Sequence, residues 1–165
     1  MDEAVVAAQD DFALRIEPCG PEQAEIVHQL TQEAFAPHRA LDPPSGVASE
    51  SVHDVRDDLA RGEAALAWLG SRPVACMRMV ADAGHLHVRR LAVSRDLQGR
   101  GLGRAMMAWA ESAARRRGLS EVTVGVRLAL AGNRAFYGRL GYHPAGEHAH
   151  PGYDQPTWVE LRKVL

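Results

Sequence analysis

The sequence predicts an α/β protein: one sheet with helices on both faces. Three observations predict it. Strand-like and helix-like segments follow one another in the order β-α-α-β-β-β-α-β-α-β-β. A strand-like segment at His85 to Val93 feeds a glycine-rich turn that opens directly into a helix. No internal repeat or linker divides the 165 residues, about the length of one ordinary domain.

The elements can be justified in order. Met1 to Asp11 are small and acidic, with no basic stretch before an apolar run, and read as an unstructured start rather than a signal peptide or membrane span. Residues 12–165 read as the single domain. Phe12 to Glu17 alternates, with Phe12, Leu14 and Ile16 on one side, and predicts a strand. Gly20-Pro21 starts a helix with stripe Ile26/Val27, Leu30, Ala34 and Phe35. Residues 36–50 are rich in Pro, Ser and Gly and have no period, which predicts a long loop suited to a lid or substrate wall. Ser51 to Asp54 fits a capping box, Val52, Val55 and Leu59 follow at helical spacing, and Gly62 ends that helix. Ala64 to Leu69 and Val74 to Ala81 predict a strand pair turning at Gly70 to Pro73. Asp82-Ala83-Gly84 leads into the strand His85 to Val93. Leu102 to Arg117 predicts a helix with Leu102, Ala105, Met106, Trp109 and Ala113 on one face, closed by Gly118. Val122 to Val126 is a short strand, Asn133 to Leu140 a short helix, and two strands follow near Tyr142 to His148 and Thr157 to Leu165.

Composition narrows the function. Hydrophobic residues make up 46% and charged residues 24%, with a formal net charge of −2. No overall field draws such a chain to nucleic acid or to an anionic membrane. The charge is uneven: residues 2–63 are acid-rich and Arg89 to Arg117 is arginine-rich, which suggests a small anionic ligand. Of two cysteines, Cys76 falls in a buried strand and reads as a packed, reduced thiol, so the expected compartment is the cytoplasm. His85/His87 and His148/His150 have strand-face spacing, but no Cys or carboxylate completes a zinc pattern, and no metal is expected.

The informative stretch runs from Arg90 to Met107 and carries Gly99, Gly101 and Gly103. Glycines let a ligand approach the main chain, and unpaired amides at a helix start, aided by the dipole, suit a phosphate or pyrophosphate. Arg100 and Arg104 add positive charge beside them. A P-loop is excluded because it needs a Gly-Lys-Ser/Thr ending, and G-x-G-x-x-G fails in both registers, meeting Arg104 or Met106 at its last position. What fits is Gln98-x-x-Gly101-x-Gly103. Farther on comes Asn133-Arg-Ala-Phe-Tyr-Gly-Arg-Leu-Gly-Tyr142, in which Asn133 and Tyr137 share one helix face and Phe136 and Leu140 are expected to face the core.

In these two motifs the chain resembles the GNAT superfamily of N-acetyltransferases. The glycine turn matches that family's coenzyme A signature. The second motif matches its Asn…Phe-Tyr…Gly-Phe segment, with shorter internal spacing, Tyr142 in place of Phe, and an unusually long Leu128 to Gly132 connection. The resemblance implies a mixed, mostly antiparallel sheet splayed between the strands near 85–93 and 122–126. It implies acetyl-CoA as cosubstrate, with Leu91, Ala92 and Val93 along the pantetheine arm and Gln98, Gly99, Arg100, Gly101, Leu102, Gly103 and Arg104 around the pyrophosphate. Asn133 and Phe136 would complete the cofactor site. Transfer to a small-molecule or peptide amine would proceed by direct attack, with Tyr137 as acid to the departing thiolate. His87, four residues before Leu91 where several relatives carry Glu, is the candidate base, with a water chain as its alternative. Homodimers are frequent in that family, so a homodimer is among the expected partners, although the sequence shows no interface. Competing expectations are a non-catalytic acyl-CoA-binding module, an enzyme of another phosphate cofactor, and a nucleic-acid binder using the arginine stretch.

Overall fold

The computed structural model describes residues 13–165. Met1 to Asp11, and Phe12 of the expected first strand, lie outside the described residues. The strands are β1 (Leu14–Cys19), β2 (Glu63–Leu69), β3 (Arg72–Asp82), β4 (His85–Val93), β5 (Glu121–Arg127), β6 (His143–His148) and β7 (Trp158–Val164). The helices are α1 (Ala24–Phe35), α2 (Val52–Arg61), α3 (Leu102–Arg116) and α4 (Ala131–Arg139). All strands join one sheet in the order β1-β2-β3-β4-β5-β7-β6. Every neighbouring pair is antiparallel except β4 with β5, which is parallel.

Local chemistry explains most boundaries. Strand β1 ends two residues later than expected because it pairs with β2 as far as Cys19 opposite Ala64. Pro18 is tolerated there because β1 is an edge strand and its missing N–H breaks no ladder. Strand β3 begins at Arg72, not Val74, since Leu69 pairs with Arg72 and the hairpin loop is only Gly70-Ser71. The capping box forms as read: the Ser51 hydroxyl accepts from the Asp54 N–H at 3.1 Å, and the Asp54 carboxylate accepts from the Ser51 N–H at 2.9 Å.

Two apolar layers clamp the sheet. On one face, α1 and α2 bury Ala24, Val27, Leu30, Val55 and Leu59 against Ala64, Leu66, Cys76 and Ala92. On the other, α3 buries Met106, Met107, Ala110 and Ala114 against Met77, Met79, Leu86, Val88, Val122 and Val124. The buried stripe of α3 is thus rotated from the expected one: Ala105 and Trp109 are only half-buried. That helix is apolar around much of its circumference, so the sheet's position, not the period alone, selects the face. On α4, Tyr137 and Leu140 pack toward the core, while Phe136 lies over the glycine turn. The expectation of Phe136 in the core is corrected, because its helix brings the ring over Gly103 and the second lobe instead.

The long 36–50 segment is ordered into two 3₁₀ turns, Ala36–Ala40 and Gly46–Ser49. Val47 is its buried anchor. The Gln32 side chain donates to the Val47 carbonyl at 2.7 Å, and His28 Nε2 lies 2.9 Å from the Glu50 carbonyl. Glu50 also makes a two-pronged ion pair with Arg78, both contacts 2.7 Å, while Arg78 reaches Asp58 at 3.1 Å.

Candidate active site

The site begins where β4 and β5 part. Their parallel pairing runs only from His85 opposite Glu121 to Val88 opposite Val124. Beyond it, β4 carries a bulge. Ala92 pairs with Cys76 and Arg89 with Arg78, so Arg90 and Leu91 together stand opposite Met77. Arg90 takes a left-handed backbone, φ +55°. The extra residue reverses the strand's alternation. Leu86 and Val88 face the α3 layer before it, and Leu91 and Val93 face that layer after it, while Ala92 turns to the α1 layer.

A groove fills the gap. Its first lobe, about 610 Å³, is walled by Leu41, Pro43 to Gly46, His87, Arg90, the Val124 to Arg127 end of β5, His150 and Trp158. Its second lobe, about 570 Å³, is walled by Val93, Arg95, the glycine turn, Phe136 and Arg139. Phe35, His38, Leu91, Asn133 and Tyr137 line both lobes and form a waist between them. The Pro/Ser segment thus supplies one wall of the first lobe.

The second lobe suits an anion. Gly99 and Gly101 adopt φ +79° and +87°, values that side chains resist, and Gly101 is the N-cap of α3. No side chain caps this helix, so the first amides of α3 remain directed outward. The Gln98 side chain donates to the Val93 carbonyl at 3.1 Å, which ties the turn to the end of β4. A Cβ on Gly103 would lie 3.1 Å from Phe136 Cζ, so Gly103 is needed where α4 crosses the turn. Arg104 lines the lobe as expected; Arg95 and Arg139, not singled out in the sequence, join it. Arg100 is exposed and does not line it, and the Ala92 side chain is buried on the far face.

Two candidate proton carriers stand at the waist and in the first lobe. Tyr137 sits edge-on between Phe136, 4.9 Å away, and Tyr142, 5.8 Å away. Burial pushes its hydroxyl well above the ordinary phenol range, so it stays protonated. His87 Nδ1 lies 2.8 Å from the hydroxyl of the buried Thr123. When Nδ1–H donates to that hydroxyl, Nε2 keeps its lone pair. Desolvation, above all, lowers the His87 pKa and keeps the ring neutral near pH 7. The other paired histidines serve different ends: His148 stacks on Trp158 at 4.4 Å, and His150 contacts Thr157.

His38, Arg90 and Arg127 also line the first lobe but carried no motif. A tight turn delivers His38, the bulge re-aims Arg90, and Arg127 donates to the Pro43 carbonyl. No local pattern announces any of these placements. Among the described residues no aspartate or glutamate lines either lobe, although the chain as a whole is acidic.

The fold is thus a mixed seven-stranded sheet that splays at the parallel β4–β5 pair, with a glycine-capped helix at the gap. The chain belongs to the acetyltransferase (GNAT) family, whose model matches residues 27–142. It is 32% identical over 129 residues to a mycothiol acetyltransferase of Beutenbergia cavernae; the match covers 74% of this chain and 42% of that protein. The chain therefore spans less than half the length of this curated relative. Among solved structures it resembles PaiA N-acetyltransferase from Thermoplasma acidophilum in complex with coenzyme A, with TM-score 0.76, 15% identity, and 93% and 99% of the two chains covered. It also resembles the ribosomal-protein-S18-alanine N-acetyltransferase from Escherichia coli, with TM-score 0.73, 19% identity, and 92% and 93% covered. At such identities the likeness is one of fold.

Proposed function

We propose that this acetyltransferase-family chain moves an acetyl group from acetyl-CoA to a primary amine by direct attack in the groove between β4 and β5. The observation that carries this reading is the continuity of the two lobes through a waist holding Leu91 and Tyr137. The pyrophosphate belongs on the α3 amides, with Arg95, Arg104 and Arg139 around it. The pantetheine arm lies along the β4 edge from Leu91 to Val93, whose main-chain groups have left β5. The thioester carbon then reaches the waist.

The amine nitrogen attacks that carbon and its proton passes to His87 Nε2. The main-chain edge of β4 stabilises the oxyanion. The C–S bond breaks as the sulfur takes the Tyr137 proton, and the proton held on His87 then passes back to the phenolate, directly or through water, so that both side chains return to their neutral forms. An acyl-enzyme has no support here. Burial, first of all, pushes the Cys19 thiol up to about 12 and the Cys76 thiol up to about 11, and neither lines the groove.

Two measurements test the reading. Calorimetric titration should show acetyl-CoA binding that weakens when Gly101→Val fills the α3 entrance. Absence of binding, or binding indifferent to that change, overturns the proposal. Thiol release with an amine panel should then reveal turnover; coenzyme A binding without release from any amine would make the chain a non-catalytic acyl-CoA-binding module.

A further inference from the structure

We infer that the acceptor is an amine that also carries a carboxylate, and that the Arg90 guanidinium receives that carboxylate in the first lobe; this rests on the acetyl-transfer reading above.

The charges around the bulge do not balance internally. Arg78, Arg89 and Arg90 come from β3 and β4 and meet two carboxylates, Glu50 and Asp58. Both Glu50 oxygens bind Arg78 at 2.7 Å. One Asp58 oxygen takes Arg78 at 3.1 Å and the other takes Arg89. Every carboxylate oxygen is engaged, and among the described residues none lies within ion-pair distance of Arg90. Its Nε is buried without a hydrogen-bond partner among the described residues. Burial, first, and then repulsion from Arg78 and Arg89 oppose the pull of Glu50 and Asp58 and lower the Arg90 pKa, yet a guanidinium remains charged at neutral pH. A half-buried cation with unused donors is costly unless an anion arrives.

The bulge and the facing loop aim this cation at the lobe. A left-handed backbone at Arg90 departs from the strand's alternation, and a Cβ on Gly46 would lie 3.0 Å from the guanidinium. Gly46 thus leaves space for the fork, and both residues wall the first lobe. Arg127, also on this wall, donates to the Pro43 carbonyl, and the neighbouring Asp42 carboxylate accepts from the Tyr153 hydroxyl. A polyamine or other polycation would bring more positive charge to walls that hold Arg90, Arg127 and, among the described residues, no aspartate or glutamate. A zwitterionic amine matches them: its carboxylate meets the planar fork, which favours bidentate oxyanions, while its amino group points to the waist.

The test uses product analogues as well as substrates, so it reads whether or not turnover is found. N-acetylated amino acids and their C-terminal amides are titrated calorimetrically into the protein, with and without coenzyme A. The acids should bind about tenfold tighter or better than the amides, and Arg90→Gln should remove that preference. In thiol-release assays, amino acids should outrun their amides and spermidine. Arg90→Gln should raise the acceptor KM about 10- to 100-fold and leave the acetyl-CoA KM unchanged, with Arg90→Lys in between. Equal binding of acid and amide by the wild-type protein, or faster turnover of spermidine, overturns the inference, and so does preference for a phosphate-bearing amine such as phosphoethanolamine. The wild-type comparison decides the question even if Arg90→Gln does not fold. Failure of coenzyme A to bind would instead overturn the acetyl-transfer reading.

Discussion

Single atoms separate chemistry from scaffolding in the aromatic cluster of α4. Tyr137 and Tyr142 stack edge to face, yet their hydroxyls differ in fate. The Tyr142 hydroxyl donates to Glu111 at 3.0 Å inside the core, and Lys163 Nζ reaches the other Glu111 oxygen at 2.8 Å. Tyr137 keeps its hydroxyl for the waist, with no such partner among the described residues. Tyr137→Phe should therefore lower kcat about 10²- to 10⁴-fold with little change in acetyl-CoA affinity. Full turnover at saturating substrate would remove Tyr137 as the acid. Glu111→Ala acts on the fold instead: it strands the buried Tyr142 hydroxyl and the Lys163 ammonium. It should cost about 3–5 kcal/mol, read from urea denaturation, with acetyl-CoA affinity per folded molecule unchanged.

At the scale of elements, one inserted residue in β4 does several things at once. It reverses the alternation, ends pairing with β5, and turns Arg90 into the groove. The Arg78–Glu50–Asp58 network then fastens α2 and the 46–50 end of the first-lobe wall to β3 and β4. Arg78 is only 2% exposed, so its removal leaves two carboxylates without their main partner. Arg78→Met should destabilise the fold by about 3–5 kcal/mol and loosen that wall. The acceptor KM should rise more than the acetyl-CoA KM, because the glycine turn is built elsewhere; equal rises would show that the wall is not specifically held by this pair.

Across the whole molecule, acidic and basic groups are sorted: the chain carries net charge −2, while the groove is lined by arginine and histidine. Two of those histidines make stability depend on pH. Burial, the largest cause for both, lowers the His38 and His87 pKa values, so the folded state resists their protonation. The unfolded chain protonates them near 6.5 and binds more protons just below that pH. Their contribution is therefore fully present above about pH 6.5 and is lost as pH falls toward their lowered folded values. The urea midpoint should drop between pH 7.5 and 5.5, above the carboxylate range, and the slope should flatten in the His38→Gln/His87→Gln double variant. An unaltered slope in that variant would assign the acid sensitivity to other groups.

Much of this molecule was legible in one dimension. The order of strands and helices, the glycine turn before α3 and the Asn133–Tyr137 segment are local patterns, because each depends on residues a few positions apart. The splay came from the family resemblance and is present where β4 and β5 separate. The bulge at Arg90, the delivery of His38 to the waist, the rotation of α3 and the lack of acids along the groove could be decided only by tertiary structure. Each depends on which distant segments meet: β3 sets the register of β4, the 36–50 wall faces β5, and Glu50 and Asp58 engage Arg78 and Arg89 while leaving Arg90 free of them. Periodicity describes a segment's own geometry, whereas the charge left over in a cleft is a sum over segments that are far apart in the chain.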